Sequence, residues 1–337
     1  MYKHGFLLGK FYPPTLGHIY LIEEASKCCE HLVVLIATMY DDEEPFIPGI
    51  ERYKILKEHF SGHKNVIIKF HQGDEPQFPE EHERFWGIWL KIVLSYIDIE
   101  KTDVVFSSEE YGNTFARLLG ITHECIDLDR KAVPISGTKV REDLYKNWEF
   151  LPQETKRYFM KKIAFMGPES TGKSTISEII AKTHFKHLYA EWIPEYGRTF
   201  YETYGQESMK NQHSFQKILN TQTSLLKHTI SHTNSRLIIC DTEDITTKIF
   251  YDLYHPTNQI LDLNKLEVEK IDYRIVFYPD NESTQDGTRE NLHKREEHCQ
   301  MIIDRLIKDK LPHIVLRGSY SEKIVQSIEV VNNILNL

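Results

Sequence analysis

The sequence predicts two α/β domains in tandem, each a doubly wound parallel sheet. Three observations lead there. Short apolar, β-rich runs alternate with helical segments along all 337 residues. A different phosphate-binding pattern follows the first strand of each half. The length suits two separate hydrophobic cores.

In the first half, the runs 6–9, 32–38, 66–70, 104–107 and 124–128 read as strands. The segments 18–30, 50–61, 80–97 and 110–119 read as the helices between them. Strands separated by helical crossovers pair in parallel, which gives this half its architecture. Residues 147–160 form a short helical connector whose start is marked by Pro152. The second half begins with strand 161–166 and helix 173–184, then strand 187–191, helices across 193–230 and strand 237–240. Helices near 243–270, strand 274–278, helix 295–309, strand 313–316 and helix 320–335 follow, with a polar segment over 280–297. No internal repeat and no low-complexity linker is present, so domains over 1–155 and 156–337 are expected to pack with limited freedom.

Composition narrows the function. Hydrophobic residues make up 40 % and charged residues 27 % of the chain, ordinary for a soluble domain pair. A net charge of −9 supplies no overall cationic field for nucleic acid, which is not expected as a partner. The five cysteines include no C-x-x-C pair, as in a cytoplasmic protein with reduced thiols. No apolar stretch approaches 18 residues and no signal peptide is legible, so membrane insertion is not expected. Whether the chain forms a homo-oligomer is left open.

The second phosphate pattern is the plainer one. Residues 167–175 read GPESTGKST directly after the apolar run 163–166, matching G-x-x-x-x-G-K-[ST] between a buried strand and a helix. Backbone N–H groups from Gly167 through Glu169, Ser170, Thr171 and Gly172 to Thr175 can close on phosphate oxygens of ATP. Lys173 reaches the β- and γ-phosphates, and the Ser174 hydroxyl can hold Mg2+. The strand 237–240 ends in Asp241, which can hold Mg2+, accept a hydroxyl proton or cap the next helix.

In the first half, strand one runs into Gly9, Lys10, Phe11, Tyr12, Pro13, Pro14, Thr15, Leu16, Gly17 and His18. This resembles the nucleotidyltransferase signature G-x-F-x-P-x-[HT]-x-G-H. Gly9 and Gly17 permit close backbone approach, and the helix opening there aims its N–H groups at phosphate. Residues 135–141, ISGTKVR, resemble the I-S-S-T-x-x-R signature of the same superfamily. Ser136 and Thr138 suit a helix N-terminus, and Arg141 lies on the same helical face as Thr138. Thr15 stands where many members have a histidine, and Gly137 where they have a serine.

A short nucleotidyltransferase joined to a P-loop kinase resembles the bifunctional nicotinamide-nucleotide adenylyltransferase/ribosylnicotinamide kinase family (NadR-like). Further stretches that carry the resemblance are 106–112, 194–198 and 240–247. It implies a Rossmann-like nucleotidyltransferase fold followed by a P-loop kinase, with Mg2+ as cofactor and ATP as substrate at both sites. It also implies ribosylnicotinamide and nicotinamide mononucleotide as substrates and NAD as product. His18 and Arg141 would serve adenylyl transfer, with Gly9, Lys10, Phe11, Thr15, Ser136 and Thr138 around ATP. Lys173 and Asp241 would serve the kinase. Met1 lies a few residues before the first strand, so the helix-turn-helix module of some members is not expected.

Other candidates are weaker. Glu195 and Arg198 fall where P-loop nucleoside kinases hold the nucleoside, or on a solvated helical face. The segment 280–297 has the composition of a lid over ATP, with Arg289 and Arg295 toward the moving phosphoryl group, and equally that of a plain loop. Trp86 and Trp89 share a helical face, suited to stacking on a cationic nicotinamide ring or to the core. The rival functions are an adenylyltransferase/kinase pair for another vitamin, and a nucleotide-sensing regulator with idle sites. Intact Lys173, Ser174, His18 and Arg141 argue against the second.

Overall fold

The computed structural model describes the chain except residues 42, 258, 261, 281–293 and 337. It separates into two compact units, Met1–Tyr158 and Phe159–Leu337.

The first unit is built on five parallel strands, β1 (Tyr2–Gly9), β2 (Cys29–Thr38), β3 (Val66–Gln72), β4 (Val104–Ser107) and β5 (Thr122–Cys125). Their order is β3-β2-β1-β4-β5. Leu32, Val34, Leu35 and Ile36 of β2 are all fully buried, because a parallel sheet is covered on both faces. The period-two alternation sorts them. Leu7, Val34, Ile36 and Phe106 face α1 (Leu16–Cys28) and α2 (Gly49–His59). Phe6, Leu35, Ala37 and Val105 face α3 (Phe85–Leu94) and α4 (Tyr111–Leu119). Burying each Leu, Ile, Val or Phe side chain among them contributes about 1.5–3 kcal/mol. The short α5 (Gly137–Glu142) and then α6 (Gln153–Phe159) close the unit. Helix α6 is tied down by Thr155, whose hydroxyl donates to the Pro14 carbonyl at 3.0 Å, and by a Glu154–His59 contact at 3.1 Å.

The second unit repeats the scheme with β6 (Lys161–Met166), β7 (Glu191–Ile193), β8 (Leu237–Asp241), β9 (Tyr273–Phe277) and β10 (His313–Leu316). All pair in parallel in the order β10-β9-β6-β8-β7. The helices are α7 (Lys173–Ile179), α8 (Tyr196–Tyr204), α9 (Gln212–His232), α10 (Asp244–Tyr254), α11 (Arg295–Lys308) and α12 (Tyr320–Leu335). Ala164, Met166, Ile238, Cys240 and Val276 pack against Leu226 and Ile230 of α9, Ile245 and Ile249 of α10, and Ile302 and Leu306 of α11. Among the described residues no helix is long and apolar enough to cross a membrane.

Both sheets reverse their winding beside the first strand of the unit, β1 in one and β6 in the other. A crevice opens beyond the carboxyl ends of the strands at such a point, so the fold sets one ligand position in each unit.

Candidate active sites

In the first unit the crevice is lined by Thr15, Gly17 and His18 after β1, Ser108 and Glu109 after β4, and Asp127, Arg130 and Ser136 after β5. Thr15 caps α1 and is locked to His18 reciprocally: the Thr15 N–H donates to His18 Nδ1 at 3.1 Å, and His18 N–H donates to Thr15 Oγ1 at 3.4 Å. Because Nδ1 accepts, the ring proton belongs on Nε2, which leaves that nitrogen a donor. Burial and the charge of Arg130 push the His18 pKa down to about 4, against a weaker pull from the Pro13 carbonyl. The imidazole is therefore neutral at physiological pH. Phe11, in left-handed backbone at φ 49°, is buried and meets the His18 ring edge-on at 5.2 Å between centroids. Its side chain supports His18, so only its backbone is available to a ligand.

Helix α5 brings the second signature to the same loop. Ser136 caps it, accepting from the Lys139 N–H at 3.2 Å. Arg141 donates to the Tyr12 carbonyl and to Thr138 Oγ1, the latter at 3.2 Å, and lies 4.7 Å from the Tyr12 ring centroid. A Cβ on Gly137 would lie 2.5 Å from the Tyr12 carbonyl oxygen. The glycine that departs from the family pattern thus permits the contact between α5 and Tyr12. Lys10 is exposed, its ammonium 5.6 Å from the Phe78 ring centroid.

Trp89 is in the core. It is 7 % exposed, packs with Phe6, Leu35 and Phe115, and donates its indole N–H to the Pro76 carbonyl at 2.8 Å. Stacking on a substrate ring is closed to it, because both its apolar faces and its donor are already used. Trp86 is half-buried and edge-on to Phe85 and Phe115.

The second unit's site starts at the loop between β6 and α7. Gly167 and Gly172 take φ values of 144° and 83°, which a side chain would resist, and Ser170 shares the left-handed region at 59°. Thr171 is buried and donates to the Pro168 carbonyl at 3.0 Å, closing the turn. Thr175 is exposed on the first turn of α7. Lys173 is buried, its ammonium 4.0 Å from Glu195, which in turn is 3.9 Å from Arg198.

Asp241 ends β8 under this loop at 2 % exposure. Burial raises its pKa, Lys173 opposes that, Glu195 adds to it, and a hydrogen bond from the Ser174 side chain lowers it. Its Oδ1 is buried without a partner. An orphaned carboxylate oxygen beside the Ser174 hydroxyl fits a hard cation with oxygen ligands, the remainder coming from phosphate and water. Among the described residues no cluster of three or more His, Cys, Asp or Glu could hold a metal alone.

Next to the loop lies a cleft lined by Gly167, Glu169, Lys173, Glu195 and Arg198 at one end. Tyr201 of α8, Phe215 of α9, and Phe250 and Tyr254 of α10 form its aromatic wall. These aromatics were not singled out in the sequence, although Phe250 and Tyr254 have the i, i+4 spacing of one helical face. Thr246 also lines the cleft, 4 % exposed, with Oγ1 unpartnered.

The two arginines assigned to a lid are placed differently. Arg289 lies outside the described residues. Arg295 is not on an open lid: it opens α11, is buried, and donates to the Glu169 and Ser170 carbonyls at 3.0 and 3.1 Å. With those donors spent on the loop backbone, it braces the phosphate loop.

Comparison with known proteins finds a different family in each unit. Residues 6–143 match the cytidylyltransferase-like family and residues 162–323 match an AAA domain family. The trifunctional NAD biosynthesis/regulator protein NadR of Escherichia coli K12 is 25 % identical, with the alignment covering 98 % of this chain and 83 % of that protein. The protein of the same description from Salmonella typhimurium is 26 % identical over the same shares. A crystal structure of a NadR protein in complex with NR has a TM-score of 0.72 at 20 % identity, covering 99 % of this chain and 96 % of that one. Another, in complex with NAD and AMP-PNP, has a TM-score of 0.72 at 19 % identity, covering 100 % and 97 %.

Proposed function

We propose that this chain, NadR-like over 98 % of its length, carries out two successive steps of NAD salvage, one in each unit. The second unit would phosphorylate the 5′-hydroxyl of ribosylnicotinamide. The hydroxyl oxygen bonds to the γ-phosphorus of ATP and gives up its proton to solvent, the bond from that phosphorus to the β-bridging oxygen breaks, and ADP leaves. The first unit would let the new 5′-phosphate attack the α-phosphorus of ATP, releasing pyrophosphate and giving NAD.

The observation that carries this reading is the cleft running from Lys173 to the aromatic wall at Phe250 and Tyr254. A phosphate loop continuous with an aromatic-walled cleft suits phosphoryl transfer to a nucleoside. Loop N–H groups and Lys173 would hold the β- and γ-phosphates, while Glu195 and Arg198 face the ribose end. Mg2+ bound by Ser174 and Asp241 would neutralise charge between the phosphates. In the first unit, neutral His18 would donate its Nε2–H to a phosphate oxygen as charge grows there, with Thr15 fixing its tautomer. Ser136, Thr138 and Arg141 would hold the departing pyrophosphate. Neither step needs a covalent intermediate. Small nucleotides and a net charge of −9 fit a cytoplasmic enzyme that takes no nucleic acid.

Incubation with ATP, Mg2+ and ribosylnicotinamide, with products separated chromatographically, should give nicotinamide mononucleotide and then NAD. Added nicotinamide mononucleotide should give NAD without the first step. If neither conversion occurs, the reading is wrong.

A further inference from the structure

Adenylyl transfer requires the crevice of the first unit to accept the polyanion ATP, yet its walls are short of positive charge. Among the described residues lining it, the charged side chains are Glu109, Asp127 and Arg130, and His18 is neutral. Arg130 is therefore the sole cation there. Arg141, which would meet the departing pyrophosphate, does not itself line this crevice.

The loop that carries Arg130 is built to present it. Asp127 and Arg130 both adopt left-handed backbone, φ 53° and 52°, which non-glycine residues rarely do. The Asp127 carboxylate compensates by accepting main-chain N–H groups of Lys131 at 2.7 Å, Ala132 at 3.1 Å and Val133 at 3.4 Å. The Arg130 N–H donates to the Asp127 carbonyl at 2.8 Å. Asp127 is thus consumed by its own loop, and Arg130 is held into the crevice across from Glu109, 3.3 Å away. Both partners are substantially exposed, so the pair contributes little and is easily exchanged for a stronger anion.

We infer that Arg130 is a further substrate-binding residue of adenylyl transfer, contacting the phosphate groups of ATP after giving up its ion pair with Glu109. A guanidinium suits this, because its fork can take two phosphate oxygens at once. The inference rests on the function proposed above for this unit. Arg130 and His18 line the same crevice.

Two measurements on the full chain test it. With nicotinamide mononucleotide and ATP, Arg130→Ala should lower kcat/KM for NAD formation roughly 10–100-fold, the usual cost of one charged hydrogen bond. Arg130→Lys should recover part of that loss, and kinase turnover in the same preparations should be unchanged. Separately, ATP binding to Lys173→Ala, in which the kinase site is disabled, should weaken by a similar factor when Arg130→Ala is added. The same substitution should move the His18 titration upward from about 4, as followed by NMR. Unchanged ATP binding and unchanged NAD formation in the Arg130→Ala protein would overturn the inference. A wild-type chain that binds ATP in an Arg130-dependent way but makes no NAD would instead overturn the proposed reaction and leave Arg130 as a phosphate contact.

Discussion

The two phosphate sites solve the same electrostatic problem in opposite ways. In the first unit, the groups at the helix ends satisfy one another before any ligand arrives: Thr15 with His18, Ser136 with Lys139, Arg141 with Tyr12 and Thr138. In the second unit, polar atoms are left buried and unmatched, namely Asp241 Oδ1, Thr242 Oγ1 and Thr246 Oγ1. Thr242 is also strained, a β-branched residue at φ 79° directly after Asp241. Unmet buried groups cost stability that a ligand can return on binding, whereas a self-satisfied site pays little when empty. The kinase site should therefore be the one that ligands stabilise most.

The largest expected effect separates the sites outright. Lys173→Ala should reduce nucleoside phosphorylation on the order of 10³-fold or more, since a preorganised cation at the transferring phosphoryl group is lost. Adenylylation of added nicotinamide mononucleotide should remain close to wild type. Equal loss of both activities in a folded variant would mean that the sites are not independent.

His18→Ala tests the other side of the comparison. Loss of one donor to developing charge should slow adenylyl transfer on the order of 10²-fold and spare the kinase. The pH dependence sharpens the point. With its folded pKa near 4, His18 keeps the neutral donor form well below pH 6, so His18-dependent turnover should stay flat across that range. Stability behaves differently. The unfolded chain takes up this proton near pH 6.5 and the folded chain only near 4, so the His18 contribution is intact above 6.5 and lost as pH falls toward 4. A titration of His18 near 6.5 in the folded protein would contradict the buried, neutral assignment.

Thr246→Val should have a smaller effect, about 10-fold on kinase kcat/KM, because it removes one hydroxyl from the cleft wall. That hydroxyl has no partner in the structure, so the variant should be no less stable than wild type. A destabilised variant with normal kinase kinetics would mean that Thr246 serves the fold alone.

The sequence disclosed the strand–helix order and both phosphate loops because these are local. GPESTGKST needs only the strand before it and the helix after it, and β6 and β10 have the bounds that the sequence predicts, 161–166 and 313–316. What stayed hidden depends on pairings far apart in the chain. Whether Trp89 faces a ligand or the core is decided by Phe6, Leu35 and Phe115. Arg295 follows a polar stretch that reads as a lid, yet its donors reach Glu169 and Ser170 of the phosphate loop. The aromatic wall joins α8, α9 and α10, each of which alone reads as an ordinary amphipathic helix. Strand β5 lies at Thr122–Cys125, earlier than the apolar run 124–128, because register with β4 rather than hydrophobicity sets an edge strand.

The smallest effect is expected from separating the units, provided the cut leaves all but the last residue of α6 on the first fragment. A break between Tyr158 and Phe159 should give two fragments that each retain most of one activity, since each keeps its whole sheet and its own phosphate loop. A cut near residue 150 should harm the first fragment more. It removes Thr155, which is fully buried and bonds the Pro14 carbonyl at 3.0 Å, beside the Thr15 cap. It also removes Glu154 and Arg157, which bind His59 at 3.1 Å and Glu58 at 2.7 Å. The loop that orients His18 would then lose its support from α6, and adenylyl transfer by fragment 1–150 should fall several-fold below that of fragment 1–158 at equal folded concentration. Equal activity of the two fragments would show that α6 is dispensable to the site. A folded fragment 1–158 that makes NAD only when the second fragment is added back would show that the first site draws a necessary group from elsewhere.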